Sequence, residues 1–149
     1  MTLADLIPTL QLAIGPVILI SGIGLLLLSM TNRFGRVIDR TRHLSKEFHG
    51  AKGADSERIL SQLRILARRA RIVRAAIALA SMSVLLAAFL IISLFLGALF
   101  SLGVVGFIVT LFISCLLTLI GSLLLFISDI NISLKALWLE MPAEARGEE

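Results

Sequence analysis

Three long apolar segments limit what this chain can fold into. Residues 6–30, 75–100 and 102–128 contain no Lys, Arg, Asp or Glu, and each segment is 25 residues or longer. About 20 such residues are enough for a helix to cross the hydrocarbon core of a membrane. Helices of a soluble bundle would carry polar faces, which these segments lack. We therefore predict an all-α membrane protein with three transmembrane helices.

The charged residues are distributed unevenly around these segments. Residues 31–74 hold 12 of the 14 Lys and Arg against four Asp and Glu, a net charge of +8, whereas residues 129–149 carry −3. Basic connecting loops stay on the cytoplasmic side of a membrane. The N-terminus is therefore predicted outside, with the basic segment and the C-terminal tail in the cytoplasm. Since this topology explains the basic excess, we predict no nucleic acid partner.

The basic segment has the pattern of a helical hairpin. Apolar residues in 34–48 fall within one arc of a helical wheel, and a heptad spacing runs through 59–80. The glycines in 49–58 (HGAKGADSER) would break the helix, and Asp55 or Ser56 is a natural cap for the next one. The first two transmembrane helices are thus predicted to continue into the cytoplasm as antiparallel helices, within one membrane domain.

The first transmembrane helix carries a stripe of small residues. Gly15, Gly22 and Ser29 recur every seven positions, Gln11 adds a polar group, and Pro16 predicts a kink. Small residues on one face are typical of close helix packing, but the same face could line a pore, and the sequence leaves both interpretations open. The pore hypothesis assigns the lining to Gln11, Gly15, Gly22, Ser29, Asn32, Arg33, Arg36 and Arg40.

Two further small-residue stripes, with intervals of four residues, lie on the second and third transmembrane helices. Such stripes let helix backbones approach closely in lipid, where no hydrophobic force drives helices together. They predict a compact bundle or an oligomer. The predicted packing residues are Ser93, Gly97 and Ser101 on the second helix, and Ser114, Thr118 and Ser122 on the third.

One acidic residue lies where the third apolar segment ends. Asp129 follows that segment directly, and the predicted topology places Arg33 and Arg74 at the same depth. An ionisable group at a membrane boundary is typically paired. We therefore predict an interfacial ion pair between Asp129 and Arg33 or Arg74.

The sequence contains no recognisable catalytic motif. Cys115 has no second cysteine to pair with, and His43 and His49 lack clustered metal-ligating neighbours. No carboxylate pair, Ser/His/Asp set or glycine-rich phosphate loop is present. We therefore predict no enzyme activity, no cofactor and no metal site.

Two runs of the sequence resemble a family of small bacterial membrane proteins. They are LQLAIGPVILISGIGLLLLSMTNRFGRVIDRTR at 10–42 and LRILARRARIVRAAIALA at 63–80, with MTNR at 30–33 and DR at 39–40 the most distinctive parts. The chain is similar to members of the family called domain of unknown function 2721. The resemblance implies a bacterial inner-membrane protein with three helices, and it implies no activity and no functional residues.

Two classes of function remain. In the first, the protein is a homo-oligomeric ion channel, with the first helix lining the path and rings of arginine at the cytoplasmic mouth. In the second, it is a non-conducting accessory or scaffold protein whose basic hairpin binds anionic inner-leaflet lipid or a cytoplasmic protein. Polarity along the first helix is interrupted by Ile18 and Leu25, so it favours the channel only slightly.

Overall fold

The computed structural model describes residues 3–50, 53–100, 103 and 105–140, with side chains described for 7–50, 53, 55–100, 103 and 105–134. The described chain forms three helices and no strand. They are α1 (Leu3–Gly50), α2 (Ala54–Phe100) and α3 (Val105–Glu140). All three are long and apolar enough to cross a membrane. The predicted all-α membrane fold, with its first two helices extended, is confirmed.

Each of α1 and α2 joins an apolar half to a basic half without a break. Helix α1 continues through Pro16, whose side chain is buried. The turn between α1 and α2 includes Gly53, whose φ of 66° favours glycine. The amide of Ser56 donates to the carbonyl of Gly53 at 3.1 Å. Helix α2 therefore begins at Ala54, slightly before the predicted cap at Asp55 or Ser56. We call residues 31–74 and 129–134 the basic end.

Helix α2 is central and packs against both α1 and α3. The buried side chains of α1 include Ile23, Met30 and Val37, which lie seven residues apart. On α2, Val73, Ala80 and Ala87 are buried at the same spacing. A repeat of seven keeps one seam of a helix facing its partner over a long distance. The seam continues from the apolar half of the hairpin into the basic half.

Many apolar side chains outside these seams are exposed at the protein surface. On α3, for example, Leu117, Leu124 and Ile127 are each more than half exposed. A soluble monomer rarely leaves apolar patches of this extent in contact with water. Exposure of this kind is expected where lipid, rather than water, surrounds the helices.

Candidate functional site

Three pairs of facing residues form a ladder between α2 and α3. On α3, Cys115, Ser122 and Asp129 are seven residues apart, and they are the buried residues among 105–134. They meet positions of α2 that are also seven apart, because the helices are antiparallel and keep one seam in contact. We call these contacts the polar ladder. Its three rungs are Ser83–Cys115, Ala76–Ser122 and Arg69–Asp129.

Two rungs of the polar ladder are neutral and lie at membrane depth. Ser83 Oγ donates to the carbonyl of Cys115 at 2.9 Å, and Cys115 Sγ donates to the carbonyl of Ser83 at 3.3 Å. Ser122 Oγ donates to the carbonyl of Ala76 at 2.7 Å. Interhelical hydrogen bonds in membranes contribute roughly 0.6 kcal/mol each, and up to about 1.7. These two rungs therefore favour the observed register of α2 and α3.

The third rung is ionic and lies at the basic end. Asp129 is 1% exposed, and Arg69 Nε donates to its Oδ1 at 3.2 Å. Arg33 Nη1 from α1 lies 3.6 Å from Oδ2, which accepts no hydrogen bond from the described residues. A carboxylate this deeply buried needs a charged partner, since an unpaired buried charge costs several kcal/mol. Asp129 thus brings arginines from α1 and α2 to one point.

Arg33 has a second contact that keeps it near α3. Its guanidinium carbon lies 5.3 Å from the centre of the Phe126 ring, a cation–π geometry. The Arg33 side chain is 33% exposed and that of Arg69 is 20% exposed. Both guanidiniums are therefore held partly out of solvent, with Asp129 between them.

Beside this ion pair lies a cavity of about 300 Å³, which we call the arginine pocket. All three helices contribute to its wall. Four arginines and one hydroxyl supply the polar groups, and two aliphatic side chains supply the rest. The lining residues are Arg33, Arg36, Val37 and Arg40 from α1, Leu66 and Arg69 from α2, and Ser133 from α3.

The charges around the arginine pocket do not balance. Asp129 is the acidic partner of Arg33 and Arg69. Arg36 and Arg40 are exposed, and the described residues supply neither with a carboxylate within 4 Å. Guanidiniums are always charged and carry five donors each. Four cations and one anion leave a formal surplus of +3 at this cavity.

The predicted pore-lining residues separate into two groups. Gln11, Gly15, Gly22, Ser29 and Asn32 are exposed on α1, and a Cβ built on either glycine would meet nothing within 4 Å. This stripe makes no close packing contact within the protein. In contrast, the three predicted arginines of α1 line the arginine pocket between the helices. These are Arg33, Arg36 and Arg40.

The predicted packing residues also have different surroundings. Ser122 is fully buried and forms a rung of the polar ladder. Ser93 and Thr118 donate to carbonyls of their own helices, at Phe89 for Ser93 and at Ser114 and Cys115 for Thr118. Gly97 and Ser114 are half-buried, and Ser101 lies outside the described residues.

The predicted ion pair of Asp129 with Arg33 is present, but the predicted alternative partner, Arg74, does not pair with Asp129. Arg69 takes that place, while Arg74 is exposed and makes no ion pair with Asp129. Sequence reasoning missed Arg69 and Ser83, because it compared membrane depth and ignored helix face. The signal was the common spacing of seven at 69, 76 and 83 and at 115, 122 and 129.

The arrangement of helices defines a multi-pass membrane protein with a small polar interior. Among the described residues, no three His, Cys, Asp or Glu side chains are grouped as metal ligands. The model of the family described as Protein of unknown function (DUF2721) matches residues 13–139. The chain belongs to this family, as its sequence resemblance indicated. No curated protein and no solved structure matches the chain.

Proposed function

We propose that this protein is a membrane-embedded binding protein that holds an anionic group at the cytoplasmic membrane surface. The observation that supports this is the arginine pocket, where four arginines surround a cavity of about 300 Å³. Among the described residues, one carboxylate, that of Asp129, pairs with two of them, Arg33 and Arg69. A guanidinium binds an oxyanion through two parallel hydrogen bonds, so converging arginines are the usual basis for recognising such groups.

The depth of the pocket supports a membrane lipid as the source of that group. Arg33 is three residues beyond the first apolar segment, and Asp129 directly follows the third. Arg69 precedes the second apolar segment by six residues. All three residues therefore lie near the level of the lipid headgroups, where each Lys or Arg gains about 1 kcal/mol from anionic lipid.

The proposed orientation follows from the charge distribution and completes this picture. With the +8 segment 31–74 on the cytoplasmic side of a bacterial inner membrane, the N-terminus is outside and the C-terminus inside. The pocket then opens at the anionic inner leaflet. In this proposal the protein binds its ligand without catalysing a reaction and needs no cofactor.

The test is lipid retention by two variants with the same change in charge. The protein is placed in phosphatidylcholine nanodiscs with and without phosphatidylglycerol, and bound lipid is counted by native mass spectrometry. Arg36→Gln with Arg40→Gln removes two charges at the pocket. Arg64→Gln with Arg68→Gln removes two exposed charges from α2 that do not line it.

We expect the pocket variant to lose bound phosphatidylglycerol and the α2 variant to keep it. Equal losses in the two variants would mean that the basic surface as a whole attracts lipid, and the proposal would be wrong. If the wild-type protein retains no anionic lipid but captures a cytoplasmic protein through Arg36 and Arg40, the basic end binds protein instead.

A homo-oligomeric channel is the second candidate, and the exposed stripe of α1 supports it. Gln11 is a polar side chain at membrane depth, and Gly15 and Gly22 are open to a neighbour. Polar groups in lipid are usually covered by protein or water. Several copies of α1 around a central path would provide that cover.

Two measurements test the channel. The first is subunit stoichiometry by native mass spectrometry, because one or two copies of α1 cannot form a ring around a central path. The second is ion flux into vesicles, comparing the wild-type protein with Arg36→Glu. A ring of arginines at the mouth predicts a change in the anion-to-cation preference, and an unchanged preference contradicts it.

A further inference from the structure

We propose that the group held in the arginine pocket is a phosphate, and that Asp129 positions Arg69 to bind it. This inference rests on the proposed function and makes it more specific. The polar ladder and the arginine pocket then act together, because Arg69 belongs to both.

Arg69 is anchored by Asp129 through one side of its guanidinium. Asp129 accepts a hydrogen bond from Nε of Arg69, not from the end of the guanidinium. An arginine held through Nε keeps the fork formed by its two Nη groups for another partner. Asp129 is buried and fixed on α3, so it removes much of the freedom that a free arginine would lose on binding. It acts as a positioning residue.

The arginines reach the cavity from two different helices. Arg36 and Arg40 reach the cavity from α1, whereas Arg69 reaches it from α2. A carboxylate offers two oxygens in one plane. A phosphate is tetrahedral and offers oxygens in several directions, so guanidiniums from two helices can bind it together.

The size of the arginine pocket fits a phosphate group. A cavity of about 300 Å³ lies at the lower end of the range for small-molecule sites. It has room for a phosphate and part of the group esterified to it. The two aliphatic lining residues, Val37 and Leu66, give that part an apolar wall. The phosphate could come from a lipid headgroup or from solution, and the experiment separates these sources.

The experiment compares three anions on the full-length protein in phosphatidylcholine nanodiscs. Phosphatidylglycerol supplies an anionic phosphate from the membrane, oleate supplies a carboxylate from the membrane, and inorganic phosphate supplies it from solution. Lipid binding is measured by native mass spectrometry and inorganic phosphate by equilibrium dialysis. The key variant is Arg69→Lys, which keeps the charge and loses the fork. Its matched control is Arg71→Lys, at an exposed position outside the pocket.

We expect phosphatidylglycerol to bind more tightly than oleate, and Arg69→Lys to reduce that preference roughly tenfold. Arg71→Lys should leave it unchanged. If Arg69→Lys lowers the melting temperature, Arg36→Lys with Arg40→Lys provides the same loss of forks without touching the bonds of Asp129. Binding of inorganic phosphate that depends on Arg69 also supports a phosphate site, with a soluble source.

Other outcomes separate this inference from the proposed function. Equal affinity for phosphatidylglycerol and oleate would leave the anion-binding function intact and overturn the phosphate site. An unchanged preference in both lysine variants would also overturn it, because the forks would then have no role. Binding of none of the three anions would overturn both the inference and the proposed function.

Discussion

At membrane depth α2 and α3 are joined by neutral hydrogen bonds, whereas at the basic end they are joined by an ion pair. The spacing is the same in both regions, since the rungs at Cys115, Ser122 and Asp129 are seven residues apart. The neutral rungs satisfy their polar groups between two helices. The ionic rung does not, because Oδ2 of Asp129 accepts no hydrogen bond from the described residues.

This difference separates the bonds that hold α2 against α3 from the site at which we propose that a ligand binds. Ser83 and Ser122 are small, fully buried and bonded to backbone carbonyls of the opposite helix. Such bonds hold the register and leave nothing for a ligand. Around Asp129, two arginines share one carboxylate beside an open cavity. Guanidinium groups that could bind a ligand therefore lie at the basic end, and the neutral rungs offer none. Four substitutions test this difference between the two regions.

The largest effect on stability is expected at the ionic rung. Arg69→Met leaves Asp129 buried with only Arg33, at 3.6 Å. We expect a loss of about 2 kcal/mol in the free energy of unfolding, measured by SDS titration in mixed micelles. This is less than the ~3–5 kcal/mol for breaking a fully buried pair, because Arg33 remains. Arg74→Met is the control, and an equal loss there would show that Asp129 does not depend on Arg69.

A smaller effect is expected at the middle rung. Ser122→Ala removes the bond to the carbonyl of Ala76 and should cost about 1 kcal/mol in the same titration. Ser93→Ala is the matched control, since the Ser93 hydroxyl bonds within its own helix. The two substitutions remove the same atom. Equal losses would mean that the interhelical bond contributes nothing beyond local packing.

Cys115 should tolerate a conservative change at the Ser83–Cys115 rung. Cys115→Ser keeps a donor for the carbonyl of Ser83, and we expect a change below about 0.5 kcal/mol. Because the thiol is 1% exposed, it should also react slowly with a maleimide in the folded protein. Fast labelling under native conditions would contradict the placement of Cys115 between α2 and α3.

A substitution on the exposed small-residue stripe of α1 should not lower the stability of the protomer. Gly22→Leu adds a Cβ that would meet nothing within 4 Å at an exposed position, so the free energy of unfolding should stay the same or rise slightly. A change in subunit number without a change in protomer stability would show that this stripe forms an interface between copies. Loss of protomer stability would place Gly22 in an internal contact.

The sequence predicts the helices well because their cause is local. Charge-free segments of 25 residues or more must cross a membrane as helices, and a hairpin seam follows from heptad spacing. The outcome for α1 was less predictable. A small-residue stripe at Gly15 and Gly22 indicates close packing, but the buried seam of α1 contains Pro16 and Ile23 instead.

The partner of Asp129 shows where counting along the chain fails. Helix α2 ends at Phe100 and α3 begins at Val105, and counting outward from the midpoint between these two ends places Asp129 opposite about residue 76. That count favours Arg74. The polar ladder instead pairs Asp129 with Arg69, so the helices are staggered by about seven residues, or two turns. A stagger of this size depends on side-chain packing along the whole interface, which the spacing around one turn does not determine.

Helices α1 and α2 pass from the apolar segments into the basic segments without a joint. The part of α1 beyond Arg33 reaches about 25 Å toward the Gly53 turn, at 1.5 Å per residue. Because this extension is one continuous helix, a change in its angle at the base displaces its far end. A tilt of 10° at the membrane surface would move its tip by roughly 4 Å, so small rearrangements around Asp129 are magnified at the far end of the hairpin.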